Sequence, residues 1–109
     1  MTLEELSVLH YLNREIDMDR RRLMELEADG SAEADVVWRI IKEKQRRNMV
    51  EREKLERWIA EIPDSLTRQV FTLRFVHGQT WLQVAVAVGG GNTEDGVRML
   101  AKRYVRKHN

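Results

Sequence analysis

The C-terminal stretch that decides the fold reads TWLQVAVAVGGGNTEDGVRMLAKRYVRK, residues 80–107. Two predicted helices flank its three consecutive glycines. Thr80, followed three residues later by Gln83, has the pattern of a capping box, which predicts that a helix begins there. Glycine ends helices because it accepts left-handed backbone angles that other residues avoid. We therefore predict a short helix, a glycine turn and a final helix that begins at Asn92 or Thr93.

The final helix combines one apolar face with one basic face. Its apolar residues recur at the spacing of a single stripe on an α-helix, namely Val97, Leu100, Ala101, Tyr104 and Val105. The opposite face collects cations, and we expect it to meet an anionic partner. A recognition helix in the major groove of DNA needs this division into a core face and an outer face.

Side chains on the outer face are candidates for contacts with double-stranded DNA. Arginine donates two hydrogen bonds to guanine, and a carboxylate accepts one from cytosine. The base-contact candidates lie near the start of the helix and are Glu94, Asp95, Arg98 and Met99. The phosphate-contact candidates are cations further along, with the threonine that begins the preceding helix: Lys102, Arg103, Arg106, Lys107 and Thr80.

The charge of the chain divides at its single proline, Pro63. Residues 1–62 contain 12 Lys/Arg and 15 Asp/Glu, whereas residues 63–109 contain 7 Lys/Arg and 3 Asp/Glu. The two parts therefore carry net charges of −3 and +4. An asymmetry of this kind indicates an anionic partner for the basic part.

The basic part is predicted to contain three helices. Pro63 ends the preceding helix, and Asp64 or Ser65 caps a helix that continues to His77. The next helix, residues 81–88, is almost entirely apolar, so we expect it to be buried on most sides.

The acidic part is predicted to form two long helices. No Gly or Pro interrupts Thr2 to about Glu27, and Gly30-Ser31 supplies a helix stop followed by a helix start. The second helix runs from about Ala32 to Glu61 and would extend about 45 Å, so the two should fold back on each other. The first stripe reads Leu9, Leu12, Ile16, Asp19, Leu23, Leu26, and the second reads Val37, Ile41, Lys44, Asn48, Glu51, Leu55, Trp58, Ile62.

Exposed heptad stripes normally find partners, so the sequence favours self-association, with a dimer as the simplest form. The candidate oligomer face consists of Leu9, Leu12, Ile16, Leu23, Val37, Ile41 and Leu55. In the alternative reading, the helix pair only supports the C-terminal half. The sequence leaves open whether the polar positions Lys44, Asn48 and Glu51 set the register or face water.

These patterns predict an all-α chain. A long antiparallel helical hairpin, residues 1–62, would be followed by a three-helix helix-turn-helix domain, residues 63–109.

Four short motifs carry a resemblance to a known family: DSLTR at 64–68, LRF at 73–75, TWLQVA at 80–85 and GGNTEDGVR at 90–98. With them, the stretch from 64 to 104 resembles the region 4 helix-turn-helix of sigma-70-type factors. It is especially similar to small phage- and prophage-encoded regulators that carry such a domain. The resemblance implies a recognition helix that begins at Thr93, with base contacts at positions 94, 95, 98 and 99.

The sequence thus predicts a sequence-specific DNA-binding transcriptional regulator of phage or prophage type, and leaves contact with RNA polymerase open. One alternative is a small, terminase-like DNA-packaging subunit, since such subunits also join a helix-turn-helix to a helical oligomerisation element. Another is a protein-interaction module with a degenerate helix-turn-helix. Glu94, Gly96 and the modest net charge motivate that alternative.

Other classes of function lack support in the sequence. The chain has no cysteine, which excludes disulfides and thiolate metal sites. The spacing of Gly91 and Gly96 fits a Walker loop, but Val97 and Arg98 follow where Lys and Ser/Thr are required. We expect no cofactor, no metal and no enzymatic activity. Without a signal-peptide pattern or a long apolar run, we expect a cytoplasmic protein with no membrane partner.

Overall fold

Helices account for nearly all of residues 1–108, the part of the chain that this computed structural model describes. They are α1 (Leu3–Ser7), α2 (Leu9–Asp29), α3 (Ala32–Ala60), α4 (Ser65–Phe71), α5 (Trp81–Val88) and α6 (Glu94–Lys107). A π-helical turn, Thr72–Val76, directly follows α4. No strand occurs within the described residues, and the prediction of an all-α chain is confirmed.

Five of the helices begin at a side-chain cap, including α1 at Thr2. In each case, an oxygen of the cap residue accepts the backbone N–H three residues further on, which satisfies a donor that the first turn leaves free. The other four cap residues are Ser31, Asp64, Thr80 and Thr93. Of the two residues that the sequence offers at the starts of α4 and α6, the structure therefore selects Asp64 and Thr93.

The first predicted helix is divided into α1 and α2 at Val8. The hydroxyl of Ser7 donates a 2.7 Å hydrogen bond to the carbonyl of Leu3, a contact that bends helices. Leu6 and Leu9, on either side of the break, are both fully buried. The short α1 therefore contributes an apolar side chain that the predicted stripe did not include.

α2 and α3 pack side by side and run in opposite directions. Gly30 ends α2 with φ 70°, a left-handed angle suited to glycine. On α2, the predicted stripe is the buried face, including Asp19. On α3, the buried positions are Ala34, Gln45, Leu55 and Ile59.

The predicted stripe of α3 is therefore wrong at two positions. Val37 is 37% exposed and Glu51 is exposed, whereas Ile41, Lys44 and Asn48 are half-buried. Residues three or four positions apart lie near the same face of a helix. When the middle of a stripe is polar, the sequence therefore does not show which of two neighbouring stripes is buried.

The proposed oligomer face also needs correction, because most of its residues are buried within the single chain. Leu9, Ile16, Leu23 and Leu55 are at most 6% exposed. Leu12 and Ile41 are half-buried, and only Val37 is exposed. The packing of α2 against α3, and of both against the C-terminal helices, buries the stripe that the sequence suggested would be free.

The largest apolar cluster spans Pro63. It joins Leu55, Ile59 and Ile62, at the end of α3, to Phe71 and Ala101 in the C-terminal helices. The short helix α1, the start of α2 and the end of α3 thus pack into the same core as α4 and α6. The remainder of the α2–α3 pair projects from it, and the molecule measures 57 × 26 × 19 Å.

The prediction that α5 is buried on most sides is wrong. Val84 and Ala85 are buried, but Leu82 is 58% exposed and Val86 is 75% exposed. An eight-residue helix that contacts its neighbours along one side leaves its opposite side in solvent, whatever its composition.

Candidate nucleic-acid interface

The turn between α5 and α6 is shaped by glycine. Gly89, Gly90 and Gly91 have φ values of 63°, 64° and 76°, which side-chain-bearing residues rarely adopt. Asn92 closes the turn, since its side-chain amide donates a 2.7 Å hydrogen bond to the carbonyl of Gly89. The run of glycines therefore sets the angle at which α6 leaves α5.

The first turn of α6 is capped and compact. The Thr93 hydroxyl accepts the Gly96 N–H at 3.0 Å. A Cβ at position 96 would lie 3.0 Å from that hydroxyl oxygen, closer than most real Cβ contacts. Glycine thus leaves room for the cap and removes a side chain from the exposed first turn.

The inner face of α6 fixes the helix to the core. Val97, Ala101 and Val105 are buried, as the stripe predicts. Val97 contacts the apolar cluster beneath α5, and the other two belong to the larger cluster at the end of α3. Tyr104 packs its ring against Trp58, with 5.7 Å between centroids.

The outer face of α6 carries cations without intramolecular partners. Lys102, Arg103, Arg106 and Lys107 are all exposed, and none of them lies within 4.0 Å of a carboxylate in the described part of the chain. On the long helices, by contrast, Arg22, Arg39, Arg46 and several other cations are paired with nearby carboxylates. The structure thus places the four predicted phosphate-contact cations on one free surface.

The four base-contact candidates lie on the first two turns of the same surface. Glu94 and Asp95 are exposed, Met99 is 41% exposed, and Arg98 is half-buried. The Arg98 guanidinium forms an ion pair with the carboxylate of Asp95, one turn earlier. Sequence reasoning missed this pair, although the i, i+3 spacing of opposite charges indicates it.

The start of α5 is a complete capping box. Thr80 accepts the N–H of Gln83 at 3.1 Å, and the side chain of Gln83 accepts the N–H of Thr80 at 2.9 Å. The hydrogen of the exposed Thr80 hydroxyl remains available to a phosphate. Arg74 lies over the Trp81 ring at 4.7 Å and donates a 2.8 Å hydrogen bond to the carbonyl of Gln79, which braces the approach to α5.

A second polar cluster lies away from α6, inside the α2–α3 pair. Lys44 is 3.1 Å from Asp19 and 3.3 Å from Glu15. The hydrogen bond that Lys44 donates to Asp19 raises the pKa of Lys44, burial partly opposes this, and the hydrogen bond to Glu15 adds a smaller increase. Within residues 1–108, the second carboxylate oxygen of Asp19 and the side-chain amide nitrogen of Asn48 are buried without a hydrogen-bond partner.

The ion pairs of this cluster connect α2 to α3. In the described residues, His, Asp and Glu side chains do not come together in groups that would hold a metal ion.

The same part of the chain contains no helix with the length and apolarity needed to cross a membrane.

Comparison with known protein families, with curated proteins and with solved structures finds no match to this chain. The candidate function therefore depends on the surface of α6 and on the residues that position it.

Proposed function

We propose that the chain is a sequence-specific transcriptional regulator that binds duplex DNA in the cytoplasm. In this proposal, α5, the glycine turn and α6 act as a helix-turn-helix similar to region 4 of sigma-70-type factors. The observation that carries the proposal is the row of four exposed cations on the face of α6 opposite its buried stripe, none of which lies near a carboxylate of residues 1–108.

The position of each cation along α6 supports separate roles in binding. A recognition helix enters the major groove with its N-terminal residues nearest the base edges. Lys102, Arg103, Arg106 and Lys107 follow the first two turns, so they suit contacts with phosphates, which supply affinity without reading sequence. The Thr80 hydroxyl, at the start of α5, provides a separate hydrogen-bond donor for a DNA phosphate.

Arg98 and Asp95 are the strongest candidates for reading sequence. In the free protein, Asp95 holds the guanidinium of Arg98, so binding of guanine by Arg98 must exchange one partner for the other. The carboxylate then becomes available to accept a hydrogen bond from a cytosine amino group. This exchange favours a cognate site over contact with phosphate alone. Only a suitable base sequence offers both an acceptor for Arg98 and a donor for Asp95, the two groups that lose each other on binding.

The direct test is fluorescence anisotropy of a labelled duplex with the full chain at several salt concentrations. We expect affinity to fall steeply as salt rises, because each phosphate contact releases a counterion. The double variant K102A/R106A should bind more weakly and show a shallower salt slope. A matched control, R21A/K42A, removes the same charge from exposed positions on the distal part of α2 and α3 and should bind like the wild type.

Two results would contradict the proposal. Absence of binding at low salt would remove direct DNA recognition, and equal losses in the two double variants would show that net charge acts without α6.

The Asp95–Arg98 pair gives a prediction about specificity. R98A should lose about 1–3 kcal/mol of binding to a selected site and relax the preference at one base position. D95N should release Arg98 and remove a negative charge, so affinity for unrelated duplexes should rise. Site selection with each variant measures both effects. An unchanged preference in R98A would exclude Arg98 from base recognition.

A protein-interaction module is the second candidate, and one observation favours it. Leu82 and Val86 expose an apolar edge of α5 beside the proposed interface, as protein-binding surfaces do. L82S/V86S would then abolish partner binding, whereas under the DNA-binding proposal this variant retains its affinity for duplex DNA.

A further inference from the structure

The N-terminal part of α3, which is distal to the C-terminal helices, carries a patch of exposed apolar side chains, far from the proposed DNA-binding face. Val36 is 59%, Val37 is 37% and Ile40 is 65% exposed; we call these three residues the distal patch. Scattered exposed apolar residues are ordinary, but adjacent ones on a single face indicate a contact surface. Burial of most of the predicted oligomer stripe within the chain turns attention to exposed apolar residues such as these, which lie next to one another on α3.

A heptad-like row of residues runs through the distal patch. Glu33, Val37, Ile40, Lys44 and Arg47 are separated by alternating steps of four and three, so they share one side of α3. The row is acidic at its start, apolar at its centre and basic at its end.

The two ends of this row have no strong partner within the chain. Both Glu33 and Arg47 are exposed, and neither forms an ion pair with any residue between 1 and 108. Arg47 acts on Glu43 only as a weak Coulombic neighbour. Lys44 turns its ammonium group toward Asp19 and Glu15, which leaves its aliphatic stem beside the patch.

We propose that two copies of this chain pair through the distal patch, with α3 against α3, antiparallel and centred on Ile40. In this arrangement, Glu33 lies level with Arg47 of the second copy, since each is about 10.5 Å along the helix from Ile40. A two-fold axis repeats the same contact on the other side of the centre.

The charge pattern identifies the occupant as a second copy. A face that is acidic on one side of an apolar centre and basic on the other complements itself when it is turned end for end. A different protein would also need a complementary order of charges, but it would not require the two charges of this row to lie at equal distances from the centre. Here, the two unpaired charges lie at equal distances from Ile40.

Together with the proposed function, on which this step rests, the pairing predicts how DNA is engaged. From Ile40 to Ala60, α3 rises about 30 Å, at about 1.5 Å per residue. The two C-terminal bundles, each made of α4, α5 and α6 with the end of α3, are therefore separated by about 60 Å or more. Half-sites one turn apart are separated by only about 34–36 Å, so we expect the dimer to engage half-sites at least two turns apart or two separate DNA segments.

The test is analytical ultracentrifugation of the full chain without DNA over a range of concentrations. We expect a monomer–dimer equilibrium, with at least a tenfold higher dissociation constant for I40E. V50E is the matched control, because Val50 is 62% exposed on the same helix but lies outside the row. A wild type that stays monomeric throughout, or equal effects of I40E and V50E, would overturn the proposal.

Charge reversal tests the orientation of the pair. E33R and R47E should each weaken self-association, because each places like charges at both ends of the interface. An equimolar mixture of E33R and R47E should recover it, since the mixed dimer again pairs opposite charges at both ends. Failure of the mixture to associate better than either variant alone would contradict the antiparallel arrangement.

Binding of a single short duplex separates this inference from the proposed function. I40E should retain wild-type affinity for that duplex, because the patch lies away from α6. Loss of pairing with unchanged DNA binding fits both proposals. A wild type that dimerises without binding DNA would support the pairing and reject the proposed function.

Discussion

The distal part of the α2–α3 pair and the C-terminal bundle are built from the same kind of helix but are held by different interactions. In the bundle, Phe71 lies 5.5 Å from both Phe75 and Tyr104 and 5.7 Å from Trp58, measured between ring centroids. In the distal pair, the buried Asp19 of α2 forms an ion pair with Lys44, at the edge of α3, with 3.1 Å between the charged atoms. The aromatic packing is therefore concentrated around α6, at the C-terminal end of the molecule.

The two regions therefore contribute differently to stability and function. Two helices enclose a side chain less completely than several do, so Leu23, Leu26 and Ala34 keep 5–6% of their surface exposed whereas Val70 and Phe71 are fully buried. The bundle surrounds its central aromatic residues from several helices, which gives α6 a rigid support. The distal region should open more readily, while the bundle should unfold only with the whole chain.

The largest effect should come from removing the aromatic centre of the bundle. F71A deletes a fully buried ring and should cost about 3–5 kcal/mol of unfolding free energy. L23A, in the distal seam, should cost about 2 kcal/mol, because the gap can partly close or fill with water. Urea unfolding measures both, and equal losses would contradict the proposed difference in packing.

Removal of Lys44 should have the next largest effect. K44M leaves the carboxylate of Asp19, whose side chain is 10% exposed, without its cation and should cost about 2 kcal/mol. The double variant D19L/K44M should recover most of this loss, because it removes both the charge and its desolvation cost. If the double variant is less stable than K44M, the pair contributes more than charge compensation.

Loss of a helix cap should produce a smaller effect that stays local. T93A leaves the Gly96 N–H without its acceptor and should cost about 1 kcal/mol. Hydrogen exchange should speed up in the first turn of α6 but not in the distal pair. S31A, which removes the cap of α3, is the counterpart and should affect the distal pair alone; faster exchange in both regions from either variant would contradict their separation.

The smallest effect should be the pH dependence of the cap at Asp64. The side-chain and backbone hydrogen bonds of Thr67, together with the more distant Arg68, lower the pKa of Asp64. This contribution is fully present above the unfolded value of about 3.9 and is lost as the pH falls through the lower folded-state pKa. D64N keeps a capping oxygen without titrating, so its stability relative to the wild type should improve in acid. A difference that does not change with pH would contradict this.

Much of the helical architecture could be predicted because its signals are local. Caps, glycines and the single proline act within a few residues, and they place the start of α3 at Ala32 and both ends of α5 correctly. The break at Val8 was missed because it depends on burying Leu6 in a core formed mainly by later helices. The register of α3 was missed because polar residues occupy the middle of both candidate stripes.

The candidate interface was predictable in part for the same reason. The buried and exposed faces of α6 follow from the spacing of Val97, Ala101 and Val105. The ion pair that engages Arg98 also has a local signal, but the ring contact between Tyr104 and Trp58 joins residues far apart in sequence. The exposed edge of α5 depends on how few neighbours cover that helix, which composition does not reveal.

The most direct test of the central claim is a residue-level NMR map of the full chain titrated with a duplex obtained by site selection. We expect amide shift changes in α6 and at the start of α5, with the distal parts of α2 and α3 unchanged. In K102A/R106A these changes should weaken without moving elsewhere. Shift changes centred on the distal helices, with α6 unaffected, would contradict the assignment of DNA binding to the C-terminal bundle.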